Sequence, residues 1–238
     1  MTNPKNKTQS FLTDKQNHAL WHPNFPVSNT YNPQLVFEHN MGPNVLWLTE
    51  WLTTEMDLQP GMRILDMGCG KALSSLFLAR EYDVQVWAND LWIPATENWE
   101  RICEWGMQDH IFPIHAEAHE LPYAENFFDA IVSLDSYQYY GTDQLYLGYF
   151  HKFVKPGGQI GLVAPGLFQE FHGKVPEHLM RMQRSGGRFW AWDCCVFHTA
   201  QWWREHWSLY DMVEIQHCEP LSDGGTLWLR WERAYEAS

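Results

Sequence analysis

Apolar positions between residues 43 and 164 follow two alternating periods. Short apolar runs typical of buried strands alternate with stretches whose apolar residues stand three and four apart, as in helices. This alternation predicts a mostly parallel sheet covered by helices on both faces. The predicted strands cover residues 63–66, 84–89, 111–115, 130–133 and 159–164. The predicted helices cover residues 43–56, 72–80, 94–105 and 142–154.

The alternation stops over residues 166–199, and a different pattern closes the chain. A helix is predicted over 200–207, followed by strands over 213–217 and 226–231. Residues 223–225 (Asp-Gly-Gly) stand between these strands and are typical of a hairpin turn. We therefore expect a Rossmann-like, doubly wound α/β fold. Its seven-stranded sheet would be mostly parallel with a C-terminal antiparallel hairpin.

The first 42 residues differ from the rest of the chain. They contain four prolines and seven asparagines, few aliphatic side chains and no clean period. We expect an N-terminal extension or lid here rather than a domain. The main domain is predicted over 43–238, with a core over 60–165, an insert on the substrate side over 166–199, and a C-terminal helix and hairpin over 200–232.

Composition narrows the classes of partner. The 29 acidic against 16 basic residues give a net charge of −13, which repels phosphate backbones and argues against nucleic acid. No run of 18 apolar residues is present to span a membrane. The polar N-terminal segment lacks the apolar stretch of a signal peptide, and the five cysteines show no paired spacing. We expect a cytoplasmic protein that acts on a small molecule.

A glycine-rich turn follows the first predicted strand. Gly68 and Gly70 let the backbone fold tightly and approach a ligand, and the next helix presents free N–H groups to an anion. Leu73 occupies the position of the third glycine in the dinucleotide fingerprint. Asp66 stands two positions before the first glycine, and Asp90 closes the next strand, where a carboxylate binds ribose hydroxyls. This set fits a nucleoside with a short charged tail better than a dinucleotide.

The segment 64–70 (Ile-Leu-Asp-Met-Gly-Cys-Gly) resembles the first motif of class I S-adenosylmethionine-dependent methyltransferases. The match extends over about 60–165. It is most similar to the bacterial small-molecule branch, whose members are often labelled cyclopropane-synthase-like or ubiquinone-methyltransferase-like. Further segments agree in order and spacing: 87–90 (WAND), 115–122 (HAEAHELP), 126–133 (NFFDAIVS) and 154–158 (VKPGG).

The resemblance implies methyl transfer from S-adenosylmethionine to a small-molecule acceptor. Glu117 stands where the family often has aspartate. Lys71 stands where small residues are commoner; it either pairs with the cofactor's carboxylate or is a solvated lysine at a helix start. The cofactor contacts that the resemblance implies fall on Asp66, Gly68, Cys69, Gly70, Lys71, Asp90, Leu91, Glu117, Ala118, Ser133 and Tyr31.

The acceptor site is predicted where the fourth strand ends. If that strand continues, Asp135, Tyr137 and Tyr139 lie on one side of it; alternatively they form a loop whose tyrosines pack on the next helix. Tyr31 and His39 of the extension either close over the cofactor or only anchor the extension. No metal is expected, because the histidines and cysteines lack a ligand spacing for zinc.

Two other functions stay open on the sequence alone. Modification of a lipid or fatty-acyl chain would use the same cofactor, although no basic amphipathic helix suggests membrane docking. A nicotinamide-dependent oxidoreductase would carry a third glycine where Leu73 stands. We expect a monomer or homodimer without stable membrane association.

Overall fold

The computed structural model describes residues 20–171, 173–183 and 186–235. Across these residues one parallel sheet of five strands forms the centre of the molecule, in the order β3-β2-β1-β4-β5. Because β1 pairs with β2 on one side and β4 on the other, the winding direction reverses between β1 and β4. The strands are β1 (Arg63–Met67), β2 (Gln85–Asp90), β3 (Ile111–His115), β4 (Phe128–Leu134) and β5 (Val154–Val163).

Helices cover both faces of this sheet. Short 3₁₀ turns lie at Ser28–Thr30, Tyr137–Tyr139, His151–Phe153, Glu177–Met180 and Trp192–Val196. The helices are α1 (Pro33–His39), α2 (Val45–Thr53), α3 (Leu73–Tyr82), α4 (Ala95–Glu104), α5 (Tyr146–Phe150), α6 (Ala200–Trp207) and α7 (Gly224–Tyr235).

Alternation along the strands divides the core between the two faces. In β1, Ile64 packs into one cluster with residues of α2, α3, α7 and the N-terminal extension. Leu65 points to the other face, into a cluster built around Tyr137 and Phe150. Both β1 residues are fully buried, as expected for a central strand of a parallel sheet. The extension is thus part of one face of the core.

The prediction of a seven-stranded sheet with a C-terminal hairpin is wrong. Among the described residues the sheet has five strands, all parallel, and no antiparallel hairpin. Residues 213–217 carry no regular secondary structure, and 226–231 lie within α7. Leu227, Trp231 and Ala234 are buried and stand four and three apart, so the period of this segment is helical. The two glycines taken for a hairpin turn begin that helix.

The other predicted elements exist with shifted ends. β3 and α6 begin and end where the sequence predicts. The helix predicted from residue 142 is shorter, because α5 starts at Tyr146 and passes into a 3₁₀ turn. Residues 1–19 of the predicted extension lie outside the described residues. In the part of the chain that the structure describes, no helix has the length and apolar character to cross a membrane.

Candidate cofactor and acceptor site

The glycine-rich turn between β1 and α3 lies at the carboxyl edge of the sheet, beside the switch in winding direction. Gly68 and Gly70 have φ values of +77° and +54°, in the left-handed region that favours glycine. The backbone N–H groups of Gly68 and Cys69 donate to the Asn89 carbonyl at 2.9 and 3.0 Å. A Cβ at position 68 would overlap the Ser136 side chain. Glycine is therefore required where the turn meets the end of β4.

Asp90 joins the glycine turn to the end of β2. Its Oδ2 accepts a hydrogen bond from the Gly70 N–H at 2.8 Å. Its Oδ1 accepts from the N–H groups of Trp92 and Ile93 at 2.7 and 2.9 Å. Since a carboxylate oxygen accepts about two hydrogen bonds, Oδ2 keeps capacity for one ligand hydroxyl. The carboxylate is positioned by backbone groups on both sides of the cleft.

Asp66 lies beneath the turn, at the end of β1. Its Oδ2 accepts from the hydroxyls of Ser74 and Ser75, each at 2.6 Å. Oδ1 has no hydrogen-bond partner among the residues described. Burial raises the pKa of this carboxyl group to about 6, although both serine hydroxyls oppose the shift. A buried carboxylate oxygen without a partner is the kind of atom that a bound cation or donor group satisfies.

Three further predicted cofactor residues lie at the same edge. The Ser133 hydroxyl donates to the Met67 carbonyl at 2.8 Å and is buried. Leu91 follows Asp90 and is about half exposed, with its carbonyl 2.7 Å from His115 Nε2. Cys69 is buried in the turn, and burial raises the pKa of its thiol. A high thiol pKa disfavours the nucleophilic thiolate, so Cys69 serves the turn by its small size.

Glu117 and Ala118 follow the end of β3. Ala118 is buried, and its carbonyl accepts from the Tyr146 hydroxyl at 3.0 Å. Glu117 is partly exposed and accepts from the backbone N–H and ring Nδ1 of His119 at 2.8 and 2.9 Å. The side-chain hydrogen bond from His119 lowers the pKa of the Glu117 carboxyl. Both residues follow the carboxyl end of β3, the strand that pairs with β2.

The structure does not bring Tyr31 to the glycine turn. Its hydroxyl donates to Glu81 Oε1 at 2.8 Å, and its ring stacks on Phe77 at 5.7 Å. These contacts lie along α3, away from the N-terminal end that follows the turn. Lys71 Nζ donates to the Glu38 carbonyl at 2.9 Å, at the end of α1. His39 packs edge-on against Trp105 at 5.3 Å.

The segment 40–43 of the extension, which we call the lid strap, covers the site instead. A Cβ on Gly70 would lie 3.1 Å from Met41 Sδ, and one on Gly42 would lie 2.5 Å from Asp135 Oδ2. The strap therefore runs from the glycine turn to the end of β4. Trp231 of α7 donates from Nε1 to the Gly42 carbonyl at 2.9 Å. These residues were not among those predicted from the sequence. Residues 40–43 (Asn-Met-Gly-Pro) have the composition of a turn, but Trp231 stands 189 positions away from Gly42.

Buried Asn40 shapes the strap. Its Nδ2 donates to the carbonyls of Gly42 and Pro43 at 2.8 and 2.9 Å, and its Oδ1 accepts from the Val45 N–H at 2.9 Å. Asn44 then caps α2 by accepting from the N–H of Leu46 at 3.1 Å. These bonds fix the direction in which the extension enters the main domain.

The three predicted acceptor-site residues do not share one side of a strand. β4 ends at Leu134, and Asp135 turns the chain with φ at +55°. Tyr137 is then buried in an aromatic cluster, while Tyr139 is half exposed. The condition that the strand continues is not met, because a 3₁₀ turn over Tyr137–Tyr139 replaces the two-residue alternation.

Asp135 keeps a position suited to an acceptor. Its N–H donates to the Val163 carbonyl at 2.8 Å, and its Oδ1 accepts from Gln138 Nε2 at 3.0 Å. Burial raises the pKa of its carboxyl to about 6. Asp135 and Tyr137 also line a cavity of about 1060 Å³. Among the described residues, no three His, Cys, Asp or Glu side chains converge as metal ligands.

Comparisons with known proteins bear on this site. Residues 64–158 match the family described as a methyltransferase domain. Phosphoethanolamine N-methyltransferase 1 of Triticum aestivum is 32% identical over 113 residues, covering 47% of this chain and 22% of that protein. Methyltransferase GfsG of Streptomyces halstedii is 27% identical over 159 residues, covering 65% of this chain and 52% of that protein. The matches thus span about a fifth to about half of the curated relatives' length.

A solved structure extends the likeness in fold. The cyclase SpnF superposes with a TM-score of 0.63 at 20% identity, covering 84% of this chain and 69% of that chain. At this identity the superposition concerns the fold alone. It reaches beyond residues 64–158, since it covers 84% of this chain and the domain match covers less than half of it.

Proposed function

From the match of residues 64–158 to the methyltransferase-domain family, we propose that the chain transfers a methyl group from S-adenosylmethionine to a small-molecule acceptor. That match agrees with the family predicted from the motifs. The observation that carries the proposal is the glycine turn bonded to Asp90 through the Gly70 N–H. This arrangement supports the proposal, because a carboxylate of the kind that binds ribose hydroxyls lies beside a tight glycine turn at the switch in winding direction.

The residues at this edge fit the cofactor. Gly68 and Gly70 leave the cradle free of Cβ atoms, and Oδ2 of Asp90 keeps capacity for a ribose hydroxyl. The unpaired Oδ1 of Asp66 offers an acceptor for the ammonium group of the methionine portion. Leu91 and Ala118 border the cleft where the adenine would lie. When bound, S-adenosylmethionine supplies an electrophilic methyl group on a sulfonium that is primed to leave.

The protein contributes alignment and exclusion of water to this reaction. The lid strap, with Met41 over Gly70 and Gly42 against Asp135, covers the cleft from the extension side. Covering the cleft in this way holds the acceptor at a fixed distance and keeps competing water out. On this basis we assign the role of a lid to residues 20–42, the part of the predicted extension 1–42 that the structure describes.

Asp135 is the group best placed to take a proton. The acceptor's hydroxyl or neutral amine loses a proton as its lone pair takes up the methyl group, and the Asp135 carboxylate receives that proton. Its pKa of about 6 keeps it ionised at neutral pH while leaving it more basic than an ordinary aspartate. Tyr137 lines the same cavity as Asp135 and is assigned to acceptor contact from the core side, whereas Tyr139 stands half exposed on the same turn and does not line that cavity.

A small-molecule acceptor fits the charge of the whole chain better than nucleic acid does. The net charge of −13 opposes the approach of a phosphate backbone. A nicotinamide-dependent oxidoreductase is disfavoured, because Leu73 occupies the position of the third glycine in the dinucleotide fingerprint. This leucine is buried at the start of α3. We further propose a cytoplasmic protein that works as a monomer or homodimer without stable membrane association.

Calorimetric titration of the purified chain tests the proposal. S-Adenosylmethionine and S-adenosylhomocysteine are expected to bind in the micromolar range, with NAD⁺ and NADPH as controls that do not bind. Release of S-adenosylhomocysteine in the presence of a panel of amine, thiol and phenol acceptors then tests turnover. Binding of a nicotinamide nucleotide in place of the first two ligands would overturn the assignment.

A further inference from the structure

A trough runs along the outer edge of β5, outside the cofactor cleft. β5 is the last strand of the sheet and pairs with β4 on its inner side. The cavity of about 1060 Å³ follows this strand from Gly157 to Val163. Residues of α2 form one wall, residues of α6 form the other, and the irregular segment 212–221 lies across it.

The walls of the trough are apolar and aromatic. On the α2 side, the strand contributes Gly161, where a Cβ would lie 3.1 Å from Leu52 Cδ1, so the helix packs directly on the strand. On the α6 side, Trp203 packs against Tyr137 at 5.8 Å between ring centroids. Large aromatic surfaces of this kind bind apolar and planar ligands. The tryptophans that line the trough are Trp47, Trp51, Trp203, Trp207 and Trp228.

One end of the trough reaches the site of methyl transfer. Asp135 lines the cavity and also faces Gly42 of the lid strap. The next residue, Ser136, packs against Gly68 of the glycine turn. A molecule that lies in the trough with one group at Asp135 therefore places that group beside the cofactor cleft. This continuity distinguishes the trough from an isolated surface groove.

Size and charge restrict what the trough accepts. Pockets for small molecules usually enclose about 300–1000 Å³, so this cavity is at the upper limit and a small polar amine would leave most of it unfilled. Its described lining carries more carboxylates than ammonium groups. An anionic ligand would be repelled. The charged groups are Glu55, Glu125, Asp135, Glu214 and Glu219 against Lys152 and Lys155.

We propose that this trough binds the body of a large, apolar, uncharged or cationic methyl acceptor whose hydroxyl or amine lies at Asp135. The inference rests on the proposed function, because it gives the acceptor of the same reaction. Specificity for the methyl acceptor would then come from tryptophans of α2, α6 and α7 and from segment 212–221. Acceptors that carry a phosphate or sulfonate are excluded by the carboxylates of the rim.

Two fluorescent probes that share one ring system test the trough. N-phenyl-1-naphthylamine is uncharged, and 8-anilino-1-naphthalenesulfonate adds a sulfonate to the same anilinonaphthalene. The uncharged probe is expected to bind at least about tenfold more tightly, which corresponds to about 1.4 kcal/mol. Leu48→Glu places a charge on the partly exposed α2 wall and is expected to weaken this binding about tenfold or more. Leu145→Glu, at an exposed leucine outside the trough, is the matched control.

S-Adenosylhomocysteine binding and the unfolding midpoint are measured on the same variants. Loss of probe binding in Leu48→Glu alone, with S-adenosylhomocysteine affinity and midpoint unchanged, supports the trough. If the cofactor product binds but the sulfonate probe binds equally well, or both glutamate variants behave alike, the trough assignment is overturned and the methyltransferase assignment stands. If S-adenosylhomocysteine does not bind the wild type, the proposed function fails, and the acceptor role of the trough fails with it.

Discussion

Asp66 is fully buried and Asp135 is partly buried at the carboxyl edge, and their hydrogen-bond partners indicate different roles for them. Asp66 is bonded to two serine hydroxyls of α3 beneath the glycine turn. Asp135 is bonded to Gln138 and borders the cavity. Burial raises both pKa values to about 6. Only Asp135 lies where an acceptor can reach it, so only Asp135 is expected to govern the proton transfer.

The pH dependence of turnover tests this assignment. The active form of Asp135 is the carboxylate, so kcat is expected to be constant above its pKa and to fall as the pH drops through about 6. Asp135→Asn is expected to lower kcat about 10²-fold or more and to abolish this acid limb. The rates are measured with the best acceptor found in the amine, thiol and phenol panel.

Asp66→Asn is the control for that profile, because Asp66 titrates in the same range. At saturating cofactor the acid limb should remain in this variant. An acid limb that disappears in Asp66→Asn and persists in Asp135→Asn would contradict the role given to Asp135.

The two glycines of the turn differ in what surrounds them, which gives a second prediction. An L-residue in the left-handed region costs about 1–2 kcal/mol, so Gly70→Ala should lower the free energy of unfolding by that amount, since the flexible Met41 side chain yields. Gly68→Ala adds overlap with Ser136 and should cost about 1–3 kcal/mol more. Urea denaturation measures both.

Truncating Ser136 tests whether its side chain causes the extra destabilisation of Gly68→Ala. In Gly68→Ala with Ser136→Gly, the overlap is relieved and the extra cost should largely disappear, while the backbone cost remains. Equal destabilisation by the two alanine variants, or no recovery in the double variant, would show that the close approach of Ser136 is unimportant.

At the scale of elements, the extension and α7 form one unit over the cleft. Phe37 of α1 stacks on Trp231 at 5.2 Å, and Trp231 donates to the Gly42 carbonyl. The lid strap is therefore held by α1, which precedes it in the chain, and by α7 near the C-terminal end of the described residues. Opening the cleft for exchange of the cofactor requires the bond from Trp231 to break or move with the strap.

Trp231→Phe removes this hydrogen bond and retains an aromatic ring. One hydrogen bond contributes about 0.5–1.5 kcal/mol, so dissociation of S-adenosylhomocysteine is expected to become about 2- to 10-fold faster. Stopped-flow fluorescence measures the rate. Trp228→Phe is the control on the same helix, because its Nε1 donates to Glu232 rather than to the strap. Equal acceleration by both variants would show that the Gly42 bond does not hold the lid.

The sequence was sufficient where the signal is local. The turn from Gly68 to Gly70 and its acidic neighbours follow from steric rules and strand order, and the structure brings Asp66 and Asp90 together as expected. It was insufficient where distant segments meet. Tyr31 packs along α3 because Glu81 and Phe77 lie there, which no local pattern indicates.

The error in the C-terminal region also has a physical reason. Two glycines between apolar runs predict a hairpin, but the runs themselves place buried residues four and three apart. The helix is stabilised by burying Trp231 against the extension, a contact between residues far apart in sequence. Of the two alternatives left open after the fourth strand, continued alternation is not met, because β4 ends at Leu134 and Asp135 adopts a left-handed backbone.

At the scale of the whole molecule, the acidic surface is expected to prevent nucleic-acid binding. Proteins bind nucleic acid largely because their basic side chains displace the counterions of the phosphates. A net charge of −13 does not favour this exchange. Fluorescence anisotropy of a labelled DNA duplex at about 50 mM salt, where such binding is strongest, should show no change. Saturable binding that weakens with added salt would reveal a basic surface and contradict the preference for small molecules.

The central claim is that the glycine turn and Asp90 form the site for S-adenosylmethionine, and one calorimetric experiment tests it most directly. S-Adenosylhomocysteine is titrated into the wild type, Asp90→Asn and Asp109→Asn, an exposed aspartate away from the cleft. A hydrogen bond to a charged group contributes about 1.5–3 kcal/mol, so Asp90→Asn should bind at least about tenfold more weakly.

The unfolding midpoints of the three proteins, measured in the same buffer, separate loss of the site from loss of the fold. Micromolar binding by the wild type and Asp109→Asn, with weakened binding by a folded Asp90→Asn, is the result that we predict. Equal affinity of all three proteins, or no binding by the wild type, would contradict the assignment of this turn as the cofactor site.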